Sequence, residues 1–331
     1  MKLFGIEFAP LFIPFERRIQ TFTVVLYVAL FMQVLSLLGF YLIFYLLFYT
    51  KFYWISIVYL TWYIYDFNQM HKGGRRFRFV REFKLWNYFR DYFPMHLVKT
   101  CDLEPNKNYL MCLHPHGVMS FSWFCHFCTE TTGFSQKYPG ITPHLLTLNG
   151  QFYSPLEREF FRSFGGSAAS EKNLKYILSN KGNCRAKGQA CGLIVGGAAE
   201  SLEAHENTNR LVLNKRKGFI RIALQTGASL VPVYSFGETD LFRTILRPNT
   251  SRIHRLQVYL LNLLGVGLPL LIGRGIFNYT FGVLPFRNQI YTIVGKPIHL
   301  EKSVENPTKE QIDDLHKKYV EQLESLFDQY K

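Results

Sequence analysis

From Ile19 to Thr50 the chain runs for 32 residues without a charged side chain. At 1.5 Å per residue one helix of that length would reach about 48 Å, against a hydrocarbon core of about 30 Å. A single straight span is therefore too long. Lys51 interrupts the run, and Phe52–Tyr65 is uncharged again until Asp66. Two helices over residues 21–41 and 45–65, joined by a turn, fit better. Arg17 and Arg18 precede the stretch, and Lys72, Arg75, Arg76, Arg78 and Arg81 follow it. Basic residues on both flanks put both on the cytosolic side. That requires an even number of crossings, or a hairpin that dips in and returns, with Lys51 snorkelling to a headgroup. A cleaved signal peptide would show an apolar core of 7–15 residues and a small-residue cleavage site; this run is longer and lacks such a site. The expected organisation is a cytosolic segment over 1–18, a transmembrane or re-entrant helical hairpin over 19–66, and a cytosolic domain with membrane-surface contacts over 67–331.

With 38 Lys+Arg, 24 Asp+Glu and 17% aromatic residues, the chain is basic (+14) and too apolar to stay disordered. Six Cys in 331 residues are too sparse for a disulfide scaffold, and in a reducing cytosol they stay free thiols. Seven basic residues between Lys72 and Arg90 alternate with Phe77, Phe79, Phe83, Trp86, Tyr88 and Phe89. Directly after a membrane hairpin, that composition suits anionic headgroups rather than nucleic acid.

Beyond the hairpin, short apolar runs alternate with amphipathic stretches. Tyr109–Leu113, Leu145–Leu148, Cys191–Val195, Leu230–Tyr234 and Tyr291–Val294 read as strands. Val118–Thr129 and Lys217–Thr226 read as helices, the second ended by Gly227. Thr308 and Gln311 have capping-box spacing before a stripe of Ile312, Leu315, Tyr319, Leu323, Leu326 and Phe327. The alternation predicts a single α/β domain. Val258–Ile272 is uncharged but short and broken by Gly and Pro, and reads equally as buried core or as a second membrane contact.

The strongest chemical signal is His114-Pro115-His116-Gly117, placed at the end of an apolar strand. Pro115 stiffens the turn, Gly117 permits a tight exit, and an imidazole there suits general-base work near neutral pH. A structural or metal-binding His-x-His pair is the bland alternative. Cys125-x2-Cys128 without a second pair is a weak metal signal, so no metal is expected. No Gly-x-Ser-x-Gly, Walker A or dinucleotide fingerprint occurs. Gly196-Gly197-Ala198-Ala199-Glu200 follows another strand, and its carboxylate is a candidate to hold a histidine's tautomer. Arg216 and Lys217, within a basic cluster at a helix start, are candidates for phosphates or a solvated face. Sequons at Asn249 and Asn278 would face the cytosol and stay unmodified.

Taken together, the motifs resemble the type-2 diacylglycerol acyltransferase family, which includes monoacylglycerol and wax-alcohol acyltransferases. Beside the His-Pro-His-Gly turn stand Tyr92-Phe93-Pro94, Pro155 with Arg158 and Glu159, Val195–Leu202, Arg216-Lys217-Gly218-Phe219, Phe236-Gly237-Glu238 and Val294–Ile298. The opening Glu7–Leu11 with Glu16-Arg17-Arg18 is similar to monoacylglycerol acyltransferase N-termini.

The resemblance implies an endoplasmic-reticulum and lipid-droplet enzyme with cytosolic termini, moving an acyl group from acyl-CoA to diacylglycerol. Monoacylglycerol or a long-chain alcohol is the alternative acceptor, and a catalytically silent lipid-droplet hairpin protein the non-enzyme one. It implies His116 as base, His114 as support, Glu200 as orienter, and Gly117, Pro115, Arg158, Arg216, Lys217, Gly218, Phe219 and Glu238 as substrate-binding residues. Acyl-CoA is then a co-substrate, with no cofactor, and a homo-oligomer is allowed. The His-x4-Asp spacing of related glycerolipid acyltransferases is missing, since Met119 and Phe121 stand five residues after His114 and His116. The family's neutral-lipid motif, Phe-Leu-x-Leu-x3-Asn, is not evident either.

Overall fold

Every residue of the strand Tyr109–His114 is buried, because parallel neighbours flank it on both edges and helices cover both faces. This computed structural model describes residues 2–3, 5–10, 12–179, 187–244, 251–264, 267 and 269–331. The seven-stranded sheet runs in the order Met95–Lys99, Ile290–Val294, Ser229–Phe236, Tyr109–His114, Gln189–Ile194, Thr142–Thr147 and Ser167–Ala168. Ile290–Val294 pairs antiparallel with Ser229–Phe236; the other pairings of this sheet are parallel. The expected strands are present with ends shifted by at most three residues. Met95–Lys99 and Ser167–Ala168 had no clear signal, being short and, in the first case, alternating with His96 and Lys99.

Alternate residues of the central strand feed two cores. Tyr109, Met111 and Leu113 face an aromatic cluster that includes Trp86, Phe89, Phe93, Phe121 and Phe124. Leu110 and Cys112 face the helices Glu171–Leu178, Gly218–Thr226 and Lys309–Tyr330. The C-terminal helix opens on the Thr308–Gln311 capping box and buries Ile312, Leu315, Tyr319, Leu323 and Leu326. Each such side chain contributes roughly 1.5–3 kcal/mol against roughly 1 for a cap. Packing, not capping, therefore holds this helix in place.

The N-terminal apolar stretch forms three helices rather than two: α1 (Phe15–Phe31), α2 (Val34–Tyr49) and α3 (Tyr53–Tyr65). The expected turn near residues 42–44 lies inside α2; the breaks fall at Met32–Gln33, where Gln33 is left-handed, and at Thr50–Phe52. Helix α1 joins the α/β core through Val24, Tyr27 and Val28, and the Tyr27 hydroxyl donates to the Met119 carbonyl at 2.8 Å. It therefore sits with the domain and not with the projecting hairpin, which is α2–α3 with Lys51 at its tip. Among the described residues no single helix is long and apolar enough to cross a membrane; α1 and α2 qualify by length only as a pair bent by 65°. Alone, α2 reaches about 24 Å and α3 about 20 Å. Around Ser36, Gly39 and Ser56, which are buried, both helices turn apolar side chains outward, Leu37 (69%) and Ile64 (74%) among them.

Two further expectations shift. The helix expected from Val118 starts at Phe121, after a turn in which Ser120 is left-handed, and widens into a π-helix over Phe124–Cys128. The helix Arg252–Leu264 begins before the uncharged segment and exposes Ile253, Leu256, Tyr259 and Leu263. Gly265 and the sequon residue Asn249 lie outside the described residues.

Candidate active site

Three neighbouring parallel strands end together. Leu113 is level with Ile194, and His114 with Tyr234. The segments that follow them, Pro115–Gly117, Val195–Glu200 and Gly237–Glu238, therefore converge at the carboxyl rim of the sheet, where α/β folds bind ligands.

The His-Pro-His-Gly turn, which contains a cis His114–Pro115 peptide, is fixed at nearly every polar group. The Pro115 carbonyl accepts from Trp123 Nε1 at 2.8 Å, and the His116 carbonyl from Ser120 Oγ at 3.1 Å. The His116 amide donates to Glu200 Oε2 at 2.8 Å. His116 Nδ1 lies 3.0 Å from the Gly117 carbonyl. A carbonyl can only accept, so Nδ1 carries the proton and Nε2 keeps its lone pair. Burial lowers the His116 pKa below the ordinary imidazole value, partly offset by the Gly117 carbonyl, so the ring is neutral at pH 7. His116 is partly exposed, and a neutral imidazole with Nε2 free is the form a general base needs.

His114 differs in kind. It is fully buried, its Nε2 is 2.8 Å from the Tyr319 hydroxyl, and burial pushes its pKa down to about 3. It ties the turn to the C-terminal helix and stays neutral.

Glu200 does not meet the His116 ring. Its two oxygens accept the backbone amides of His116 and Val212, at 2.8 and 2.9 Å. Gly196 permits this, since a Cβ there would stand 2.3 Å from the Glu200 carboxyl carbon. Burial raises the Glu200 pKa. Glu238 plays the matching part across the site: Oε1 accepts from Phe121 N at 2.8 Å and Oε2 from Ser122 N at 3.0 Å. Its pKa is pushed up to about 7 by burial. Gly117, at φ +63°, packs so closely on Glu238 that a Cβ would approach its Cγ to 2.7 Å.

The remaining predicted residues separate into two groups. Arg216 stays at the rim, exposed, with Nη2 3.2 Å from the Gly196 carbonyl. Lys217 is paired with Asp313 of the C-terminal helix, and Gly218 begins the next helix. Phe219 is buried edge-on against Tyr319, so it supports the partner of His114 rather than facing the rim. Arg158 is remote from the turn. It is buried on Asp66 at the foot of α3 (2.9 Å), beside Arg162, and its guanidinium lies 4.3 Å from the Tyr63 ring centre. Sequence reasoning gave Tyr319 and Trp123 no part here; Tyr319 appeared only as one member of an apolar stripe. Among the described residues no three His, Cys, Asp or Glu side chains gather as metal ligands.

A family model described as diacylglycerol acyltransferase matches residues 45–331. The chain is 43% identical to 2-acylglycerol O-acyltransferase 1 of Bos taurus, over 98% of this chain and 95% of the relative. It is also 43% identical to diacylglycerol O-acyltransferase 2 of Dictyostelium discoideum, over 98% and 96%. Human acyl-CoA wax alcohol acyltransferase 1 is 41% identical over 84% and 83%.

Proposed function

Because the chain belongs to the diacylglycerol acyltransferase family and is an acyltransferase, we propose that it esterifies diacylglycerol to triacylglycerol with acyl-CoA as donor. The observation that carries the mechanism is the His116 ring, neutral, with its Nδ1 proton on the Gly117 carbonyl. His116 Nε2 takes the proton of the acceptor hydroxyl as its oxygen attacks the thioester carbonyl. The tetrahedral intermediate collapses with cleavage of the C–S bond, and the imidazolium returns its proton to the departing CoA sulfur. Glu200 and Glu238 position the turn from either side, and Arg216, exposed at the rim, meets the CoA phosphates in this reading. The steps use no cofactor. Equal identity to a 2-acylglycerol enzyme supports monoacylglycerol as the second acceptor.

Membranes carrying the protein, given labelled oleoyl-CoA and diacylglycerol, monoacylglycerol or a long-chain alcohol in turn, test this reading. Labelled triacylglycerol is expected; labelled wax ester alone would overturn the glyceride assignment. The same membranes test the setting. We read α2–α3 as a re-entrant hairpin in the endoplasmic-reticulum membrane, able to pass to lipid droplets, since each helix is shorter than the about 30 Å core. Tags at both ends should then be cleaved in sealed microsomes without detergent. Protection of the C-terminal tag alone would mean a single crossing.

A further inference from the structure

Away from the His116 rim lies a cavity of about 1270 Å³, bounded by the N-terminal strap, the first turns of α1 and the segment 274–287. The strap is stitched to that segment by Ala9 N to the Phe277 carbonyl (2.9 Å) and Tyr279 N to the Glu7 carbonyl (2.7 Å). Usual small-ligand clefts measure about 300–1,000 Å³, so there is room for a long-chain lipid. The walls are apolar, with Phe8, Phe12, Phe22, Ile276, Phe277 and Phe286. Phe12 (94%) and Phe277 (77%) stand exposed at its edge.

Four arginines interrupt this apolar lining: Arg17, Arg18, Arg274 and Arg287. Among the described residues none of them forms an ion pair with a carboxylate. The side-chain partners of Arg274 and Arg287 are neutral. Arg287 donates to Gln20 Oε1 (2.6 Å), Thr21 Oγ1 (3.2 Å) and the Arg17 carbonyl (3.3 Å), and stacks 4.0 Å from the Tyr92 ring centre. Arg274 is buried, donates to the Gly275 carbonyl and lies over Tyr279. Burial lowers the Arg287 pKa to about 10, and Arg17 and Arg274 add repulsion. Gathered cations without counter-charge, at the edge of an apolar chamber, call for an anion with a hydrocarbon tail.

We propose that this cavity holds an anionic phospholipid of the surrounding bilayer, its phosphate on Arg17, Arg274 and Arg287 and an acyl chain along the phenylalanine-lined interior. A neutral glyceride would leave the arginines uncompensated. Acyl-CoA is water-borne and meets the His116 rim, which shares no residue with this cavity. The exposed phenyl groups at the edge suit lateral entry from lipid. The site is nevertheless wired to the rim: Val25 lines it, and Tyr27, two residues on, holds the Met119 carbonyl of the His116 turn.

The test titrates the purified full-length chain, in neutral detergent, with labelled dioleoyl phosphatidic acid, and competes it with dioleoyl phosphatidylcholine, oleate or oleoyl-CoA. Phosphatidic acid should be retained, and phosphatidylcholine and oleate should compete at least tenfold more weakly. The double variant Arg17→Glu/Arg18→Glu, at exposed positions, should lower retention at least tenfold at unchanged Tm; Ala9→Trp, which fills the cavity, should do the same. Equal retention by wild type and both variants overturns the proposal. So does preferential displacement by oleoyl-CoA, which assigns the cavity to the acyl donor. Acyl transfer measured on the same samples reports separately on the His116 chemistry.

Discussion

Glu200 grips His116 by its main chain: Oε2 lies 2.8 Å from the His116 backbone nitrogen, while the imidazole proton goes to Gly117. A carboxylate that orients a ring tunes its basicity, whereas one that holds a backbone amide fixes only position. Glu200→Ala should therefore lower kcat at least tenfold, and Glu200→Gln, which keeps one acceptor, should lose less. Neither should move the acid limb of the pH–rate profile. A shift of that limb would show that Glu200 acts on the ring.

His116 itself sets that limb. Its pKa lies below 6.5 in the folded protein, so the base is unprotonated at neutral pH and protonates as pH falls through the lowered value. The acid limb of kcat/KM is expected below pH 6.5. His116→Ala should cost about 10²–10⁴-fold in rate, with targeting to membranes unchanged. Full lipid output from this variant would exclude the base role.

The clamp on Asp66 joins the hairpin to the domain through buried Arg158 and Arg162 and the half-buried Arg75. Removing one partner of a buried pair costs about 3–5 kcal/mol. Asp66→Asn should speed proteolytic cleavage between residues 66 and 75 and lower Tm. Arg158→Ala should do likewise, without a selective rise in KM for acyl-CoA. Such a rise would return Arg158 to the substrate.

Tyr319→Phe removes the hydroxyl that faces His114 Nε2. An unpaired buried polar group costs about 1–3 kcal/mol. The expected result is a Tm lower by several degrees and a proportionate loss of rate, because the turn loses its tie to the C-terminal helix. An unchanged Tm would mean that the contact carries no stability.

Glu238 gives a stability signature. Its folded pKa, about 7, is above the unfolded value of 4.5, so its ionised form is disfavoured by folding. Its contribution is fully present below about pH 4.5 and is lost as pH rises through about 7. Between pH 5 and pH 8 the wild type should lose Tm relative to Glu238→Gln, against the opposite trend of His114, His116, His126 and His144, whose lowered pKa values favour the folded state as pH rises. Buried Glu157, also raised to about 7, acts in the same direction as Glu238 and is common to both proteins.

The sequence by itself determined the apolar N-terminal stretch, the alternating α/β pattern, the His-Pro-His-Gly turn at a strand end and the capped C-terminal helix. Each is written in local spacing: hydrophobic runs, a Thr–Gln cap, a Pro between two His. The tertiary structure decided what those spacings cannot carry. Strand order brought the ends of Tyr109–His114, Gln189–Ile194 and Ser229–Phe236 side by side, so Glu200 and Glu238 meet a turn 84 and 122 residues before them. Long-range packing sent α1 into the core, because Tyr27 found both an aromatic cluster and the Met119 carbonyl, while α2 and α3 found no such cover. It also separated residues whose motifs look alike in one dimension: Arg158 went to Asp66 and Phe219 to Tyr319, while Arg216 stayed at the rim. The physical reason is that a buried charge or ring takes the partner that three-dimensional packing delivers, and sequence distance says nothing about which partner that is.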